Sequence, residues 1–95
     1  MAKRIANTKD GIRRLNTKIW QGDGYFQVCL YETVVYDEQK EKITLRSGGW
    51  NTRTTTSRIN QALMHRGIAG GVNIKNGHLH YNGKPFVNGE YVIEK

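Results

Sequence analysis

From Tyr25 to Tyr36 apolar and polar positions alternate with a period of two. Phe26, Val28, Leu30, Val34 and Tyr36 fall on one face, interrupted by Glu32, while Tyr25, Gln27, Cys29, Tyr31, Thr33 and Val35 fall on the other. Successive side chains of a strand point to opposite faces, and aromatic and β-branched residues suit a pleated surface, so this segment predicts a strand bent near Tyr31 and Glu32. The polar run Asp37-Glu38-Gln39-Lys40-Glu41 reads as a turn, and Lys42-Ile43-Thr44-Leu45-Arg46 resumes the alternation with Ile43 and Leu45 inward. Residues 25–46 therefore predict an antiparallel hairpin.

The period then changes. After the loop Ser47-Gly48-Gly49-Trp50-Asn51-Thr52-Arg53, a helix is expected over Thr55 to Arg66, with Ile59, Ala62 and Leu63 as its buried stripe and Met64 at the margin. Arg58, Gln61 and His65 are placed on the opposite side, and Gly67 supplies the glycine that ends a helix. At the other end of the chain Ile12, Leu15 and Ile19 follow i, i+3, i+7 spacing, which predicts a short helix over Asp10 to Trp20 capped by Asp10; residues 1–20 also read as a basic arm.

The last third repeats Asn-Gly at 76–77, 82–83 and 88–89. Asn-Gly accepts the positive φ of type I′ turns, so each pair signals a hairpin. The strands between them are so short that not all three are expected to be tight hairpins. Pro85 cannot donate to a ladder and is assigned to an edge or a turn. The fold class expected is α+β: the 25–46 hairpin and a C-terminal meander over 72–93 packed with one main helix about 55–66, and a possible short N-terminal helix. Val28, Leu30, Ile43, Leu45, Ile59 and Leu63 are the expected core.

Length adds that 95 residues make one domain, with little room for a core and a deep active site together. No stretch is apolar enough to span a membrane, and Met1-Ala2-Lys3-Arg4-Ile5-Ala6-Asn7 has no apolar run behind its charges, so no secretory leader is expected. Cys29 stands alone and reads as a buried structural thiol of an intracellular, cytoplasmic protein.

Charge changes the picture more. The formal net charge is +7, and no acid lies between Lys42 and Glu90, a stretch that holds Arg46, Arg53, Arg58, Arg66, Lys75 and Lys84. Lys3, Arg4, Lys9, Arg13, Arg14 and Lys18 form a second cluster against Asp10 alone. Clustered cations without interspersed acid are the footprint of a polyanion binder, or serve solubility alone. The densest candidate site comprises Arg46, Gly48, Gly49, Trp50, Arg53, Thr54, Thr55 and Arg58. Gly48 and Gly49 bring backbone N–H groups close to a ligand, Thr54 or Thr55 caps the helix, and Arg53 and Arg58 stand where a helix ordinarily places acids. The competing reading is an ordinary cap with solvated arginines. Trp50 reads first as a core anchor; exposed, it would stack on a base, and Trp20 has the same two readings.

The lysine and spacing of a P-loop are missing. His78 and His80 share a strand face without a third ligand suggested, and no nucleophile has an evident base. No cofactor, metal or catalysis is expected.

The run Ile43-Thr44-Leu45-Arg46-Ser47-Gly48-Gly49-Trp50, followed by Thr52, Thr54, Thr55, Arg58, Ile59, Asn60 and Leu63, resembles a pattern in small bacteriophage proteins of unassigned function. The resemblance covers Leu30 to Leu63. It implies a phage origin and the host cytoplasm, and no activity. The function expected is a small, basic, non-catalytic accessory protein that binds nucleic acid (DNA or RNA) or another polyanion; the alternative is a protein–protein inhibitor of a host or defence enzyme.

Overall fold

A computed structural model describes residues 11–95. Its main sheet is five-stranded and antiparallel, in the order β1 (Thr17–Gly22), β2 (Tyr25–Leu30), β3 (Thr33–Glu38), β4 (Lys42–Arg46) and β8 (Glu90–Glu94). Helix α1 (Arg53–His65) follows β4, and a second, three-stranded sheet of β5 (Val72–Lys75), β6 (His78–Tyr81) and β7 (Lys84–Pro85) lies between α1 and β8 in the chain. The α+β class holds.

The expected strand over 25–36 is two strands. Tyr31 and Glu32 form a two-residue connection that pairs Leu30 with Thr33. Asp37 and Glu38, read as turn, extend β3, and the reversal comes at 39–41, closed by the Gln39 N–H donating to Lys42 O at 2.9 Å. Register shifts at Val28 and Cys29: Val28 faces Tyr36 and Cys29 faces Val34, which leaves Val35 as the extra residue of a bulge. That bulge explains why the neighbours Val35 and Tyr36 are both buried.

No helix forms over the described part of 10–20; the Asp10 cap lies outside the described residues. Thr17–Gly22 is a strand instead, pairing with β2 from Thr17–Leu30 to Gly22–Tyr25. Asp23 and Gly24 make the intervening turn. The i, i+3, i+7 spacing of Ile12, Leu15 and Ile19 misled, because Ile12 is in the core while Leu15 is exposed.

The C-terminal third also divides differently from a single meander. β8 leaves β5–β7 and joins the open edge of β4, from Lys42–Glu94 to Arg46–Glu90. All three Asn-Gly pairs form tight turns: Asn76, Asn82 and Asn88 have φ of 55°, 51° and 53°, and each following glycine is also positive. This is the two-residue type I′ geometry, whose twist matches short paired strands, so short strands did not exclude it. Pro85 sits on the edge strand β7.

Helix α1 packs on β2, β3 and β5. Val28, Leu30, Ile43, Leu45, Ile59 and Leu63 are all buried in one core cluster with Phe26, Tyr36 and Leu79, as expected. The helix ends in a Schellman motif: Ile68 N–H donates to Leu63 O at 2.9 Å and Gly67 N–H to Met64 O at 3.1 Å, with Gly67 at φ 73°. Met64, read as marginal, is exposed. Asn60 clamps β5 to the helix, accepting from Val72 N–H at 2.7 Å and donating to Val72 O at 2.9 Å.

Beside the helix C-terminus, Glu38 is buried and accepts from Arg66 Nε at 2.8 Å, Lys95 Nζ at 2.8 Å and Tyr36 OH at 2.9 Å. Burial alone would raise its pKa, but the hydrogen bonds from Arg66, Lys95 and Tyr36 outweigh that and hold it at about 2. Arg66 therefore has its charge answered, as does Arg46, which pairs with Asp37 at 3.4 Å and Glu90 at 3.3 Å. Cys29 is buried, as expected.

Candidate nucleic-acid interface

Ser47-Gly48-Gly49-Trp50 closes a tight turn in which Trp50 N–H donates to Ser47 O at 2.8 Å. Gly48 and Gly49 have φ of 61° and 83°, the pair of left-handed conformations that glycine adopts without steric cost. A Cβ on Gly48 would come within 2.4 Å of the Thr33 side chain, so the turn lies directly on the start of β3. Ser47 N–H donates to Gly89 O at 2.9 Å, which anchors the other side to the third Asn-Gly turn. Gly49 N–H donates to Ser47 Oγ at 3.3 Å. Held on both sides, the turn points Trp50 outward. Trp50 is 54% exposed, which corrects the core-anchor reading; Trp20 is exposed too.

The helix cap also differs from expectation. Thr52, not Thr54 or Thr55, is the N-cap, and its hydroxyl accepts from Thr55 N–H at 3.3 Å. Thr55 is buried and its hydroxyl lies 3.2 Å from that of Thr52; Thr54 is exposed. No acid occupies the first turn, and Arg53 is exposed there. Arg58, placed by helical spacing on the solvent side, is only 3% exposed. Its Nε donates to Thr17 Oγ1 at 2.8 Å and its Nη2 to Leu15 O at 3.2 Å, so it ties α1 to the entry of β1. Helical spacing could not show this, because the acceptors come from a segment far away in sequence.

The structure brings Arg13, Arg14 and Lys18 to this same end of the sheet. Tyr31 N–H donates to Asn16 O at 2.8 Å, joining the chain before β1 to the β2–β3 turn. Three adjoining concavities surround Tyr31. The largest, about 740 Å³, runs between Arg14, Lys18, Glu32 and Trp50. One of about 460 Å³ lies between Arg13, Arg53 and Arg58, and one of about 350 Å³ between Trp50, Thr52 and Thr54. Glu32 is the one acid among the described residues that line them. Tyr31 is 51% exposed, and its ring centroid lies 6.1 Å from that of Trp50 with the planes tilted by 36°.

Of the residues singled out by sequence, Trp50, Arg53, Thr54 and Arg58 meet here. Arg46 is held by Asp37 and Glu90, while Gly48, Gly49 and Thr55 shape the turn and the helix start. The sequence groups Arg13 and Lys18 with the N-terminal basic cluster and not with this loop, and marks Tyr31 only as the place where a strand bends. Tyr31 sat within an apparently continuous strand, and its turn lacks glycine and asparagine, the residues that mark turns. His80 turns Nδ1 to the backbone of its own strand, 3.0 Å from His78 O.

Tyr31 has φ 58°, where a bulky side chain is strained by roughly 1–3 kcal/mol. Glycine at this position would remove the strain. Tyr31→Gly is therefore expected to melt at the wild-type temperature or above, because the half-exposed ring contributes little packing to offset the relief. A thermal melt followed by circular dichroism checks this, and a drop of several degrees would show that the fold itself needs the ring.

A family model described as Kyanoviridae Gp96 protein matches residues 1–95. No curated protein and no solved structure matches the chain.

Proposed function

The chain belongs to the Kyanoviridae Gp96 protein family and is thus a small phage protein, and from that premise we propose that it binds nucleic acid, without catalysis, through the Tyr31–Trp50 end of its main sheet. The observation that carries this reading is an exposed aromatic pair flanked by exposed Arg13, Lys18 and Arg53, with Glu32 as the sole acid among the described residues that line the concavities around it. Every base has a π-face, so aromatic platforms beside cations suit single strands of varied sequence. No helix among the described residues is long and apolar enough to cross a membrane; the proposed setting is the host cytoplasm.

Fluorescence anisotropy with labelled single- and double-stranded oligonucleotides at several salt concentrations tests the reading. Arg13→Ala with Arg53→Ala is expected to weaken binding evenly across sequences. It should also flatten the salt slope by about two, near one for each phosphate that is no longer neutralised. Arg53 is paired with Arg13 and not with Arg58, because buried Arg58 also holds the fold together. Trp50→Ala is expected to cost about 1–3 kcal/mol of binding with little change in salt slope.

A second reading has one observation in its favour. Exposed tryptophan, tyrosine and arginine together are also the residues that dominate protein–protein interfaces. An inhibitor of a host or defence enzyme would use the same end. If the wild type binds no oligonucleotide at low salt, this reading replaces the first, and Trp50→Ala and Arg53→Ala should then weaken capture of a protein partner from host lysate.

A further inference from the structure

We propose that the concavity between Arg13, Arg53 and Arg58 is a discrete phosphate pocket that takes one phosphate group, in the first place a backbone phosphate whose base rests on Tyr31 and Trp50. The ligand's identity as nucleic acid rests on the reading above; the pocket itself does not. Its floor is the unusual element. Arg58 is only 3% exposed, yet its two acceptors, Thr17 Oγ1 and Leu15 O, are neutral. None of the ion pairs among the described residues includes it; those pairs engage Arg46, Arg66 and Lys95. A buried charge is costly without an opposite charge, and proteins ordinarily supply one.

Here the neighbouring charge has the wrong sign. Burial first, and then the charge of Arg13, push the Arg58 guanidinium below its usual range. Arg13 and Arg53 line the same concavity as Arg58, so three arginines border one space, and no carboxylate is among its described lining residues. The hydroxyl-bearing Thr54, Thr56 and Ser57 of the first helical turns complete the wall. Thr56 Oγ1 donates to Arg53 O at 2.9 Å and Ser57 Oγ accepts from Gln61 Nε2 at 3.2 Å. The wall belongs to the first turns of α1, where the positive end of the helix dipole lies. Guanidinium groups match phosphate oxygens in planar, two-point geometry, which a chloride ion does not offer. Filling the pocket would supply the counter-charge that Arg58 lacks, so the ligand should stabilise the fold.

Thermal melts of the full chain in inorganic phosphate and in chloride at matched ionic strength test this. Phosphate also stabilises proteins generally by exclusion from their surface, so the variant comparison decides. At phosphate about ten times the Kd, wild type should melt about 5–10 °C higher than in chloride. Arg13→Ala with Arg53→Ala should lose that difference while keeping the wild-type circular dichroism spectrum. Arg58→Ala risks unfolding; Arg58→Lys, which keeps the charge but not the planar fork, should retain the fold and lose most of the shift. No shift in the wild type, or an equal shift in the double variant, overturns the pocket.

A single-stranded oligonucleotide titrated against phosphate separates the sources. Competition supports a backbone phosphate. A phosphate shift without oligonucleotide binding supports the pocket for a small phosphorylated ligand and overturns the nucleic-acid reading. Oligonucleotide binding indifferent to phosphate and to the double variant overturns the pocket and leaves that reading intact.

Discussion

Replacing Leu63 by alanine is expected to lower the unfolding free energy by about 2–5 kcal/mol, the range for truncating a fully buried leucine whose surroundings cannot collapse into the space. Leu63 is 1% exposed and belongs to the cluster that joins α1 to the main sheet. Two constraints restrict relaxation around it. Its carbonyl accepts from Ile68 N–H in the helix-ending motif, and Asn60, one turn earlier, is clamped to β5 by paired hydrogen bonds. The helix can neither slide nor tilt into the void without breaking one of these. Urea denaturation checks it: the midpoint should fall while the slope stays near the wild-type value. An unchanged midpoint would mean that α1 presents a different face to the sheet. In a small domain with limited total stability, a loss at the upper end of this range would leave much of the chain unfolded.

Acid is expected to remove about 2–3 kcal/mol of stability through Glu38 alone. Its carboxyl, ordinarily near 4.5, is held at about 2 in the folded chain. Each unit of such a difference corresponds to about 1.4 kcal/mol, and partial exposure of Arg66 and Lys95 reduces the total somewhat. Because the folded pKa is the lower one, the unfolded chain binds the proton more readily between the two values. The contribution is therefore complete above pH 4.5 and is lost as pH falls towards 2. Asp37 adds to the same trend: burial opposes its ionisation, but hydrogen bonds from Gln27, Gln39 and Arg46 hold its pKa below the usual value. Glu38→Gln keeps the shape and removes the charge. Wild type should be the more stable at pH 7, and the gap should close as the pH drops from 5 to 2. A gap that stays constant across that window would show that the charge of Glu38 is not what its partners stabilise.

The parts of this fold legible in the sequence are those in which local chemistry and burial agree. Strand alternation over 25–30 and 42–46, the buried stripe of α1 and its closing glycine all follow from residue type and period. Three misreadings share a cause, in that distant contacts decided them. Thr17–Gly22 became a strand because β2 offers it a partner, although Ile12, Leu15 and Ile19 have helical spacing. β8 joined β4 rather than its neighbours in sequence, a choice that no local signal encodes. Arg58 was drawn inward by acceptors at Leu15 and Thr17. One local signal was legible and undervalued: each Asn-Gly pair does form its tight turn.

The candidate site was half legible for the same reason. The loop from Ser47 to Arg53 announced itself through paired glycines, a tryptophan and an arginine in place of an acid. Its other half, Arg13, Lys18 and Tyr31, reaches the site only because the β1–β2 pairing and the Tyr31–Asn16 hydrogen bond carry it there. The strained φ of Tyr31 marks that half in the structure, where the sequence shows only a bend in an alternating strand.

The most direct test of the central claim is amide NMR of the ¹⁵N-labelled protein titrated with a short single-stranded oligonucleotide at low salt. Binding through the Tyr31–Trp50 end predicts progressive shifts confined to Arg13–Lys18, Tyr31–Thr33 and Trp50–Ser57, with the β5–β7 sheet and the Glu38 hub unmoved. Shifts centred on β5–β8, or a spectrum indifferent to the oligonucleotide, would contradict it.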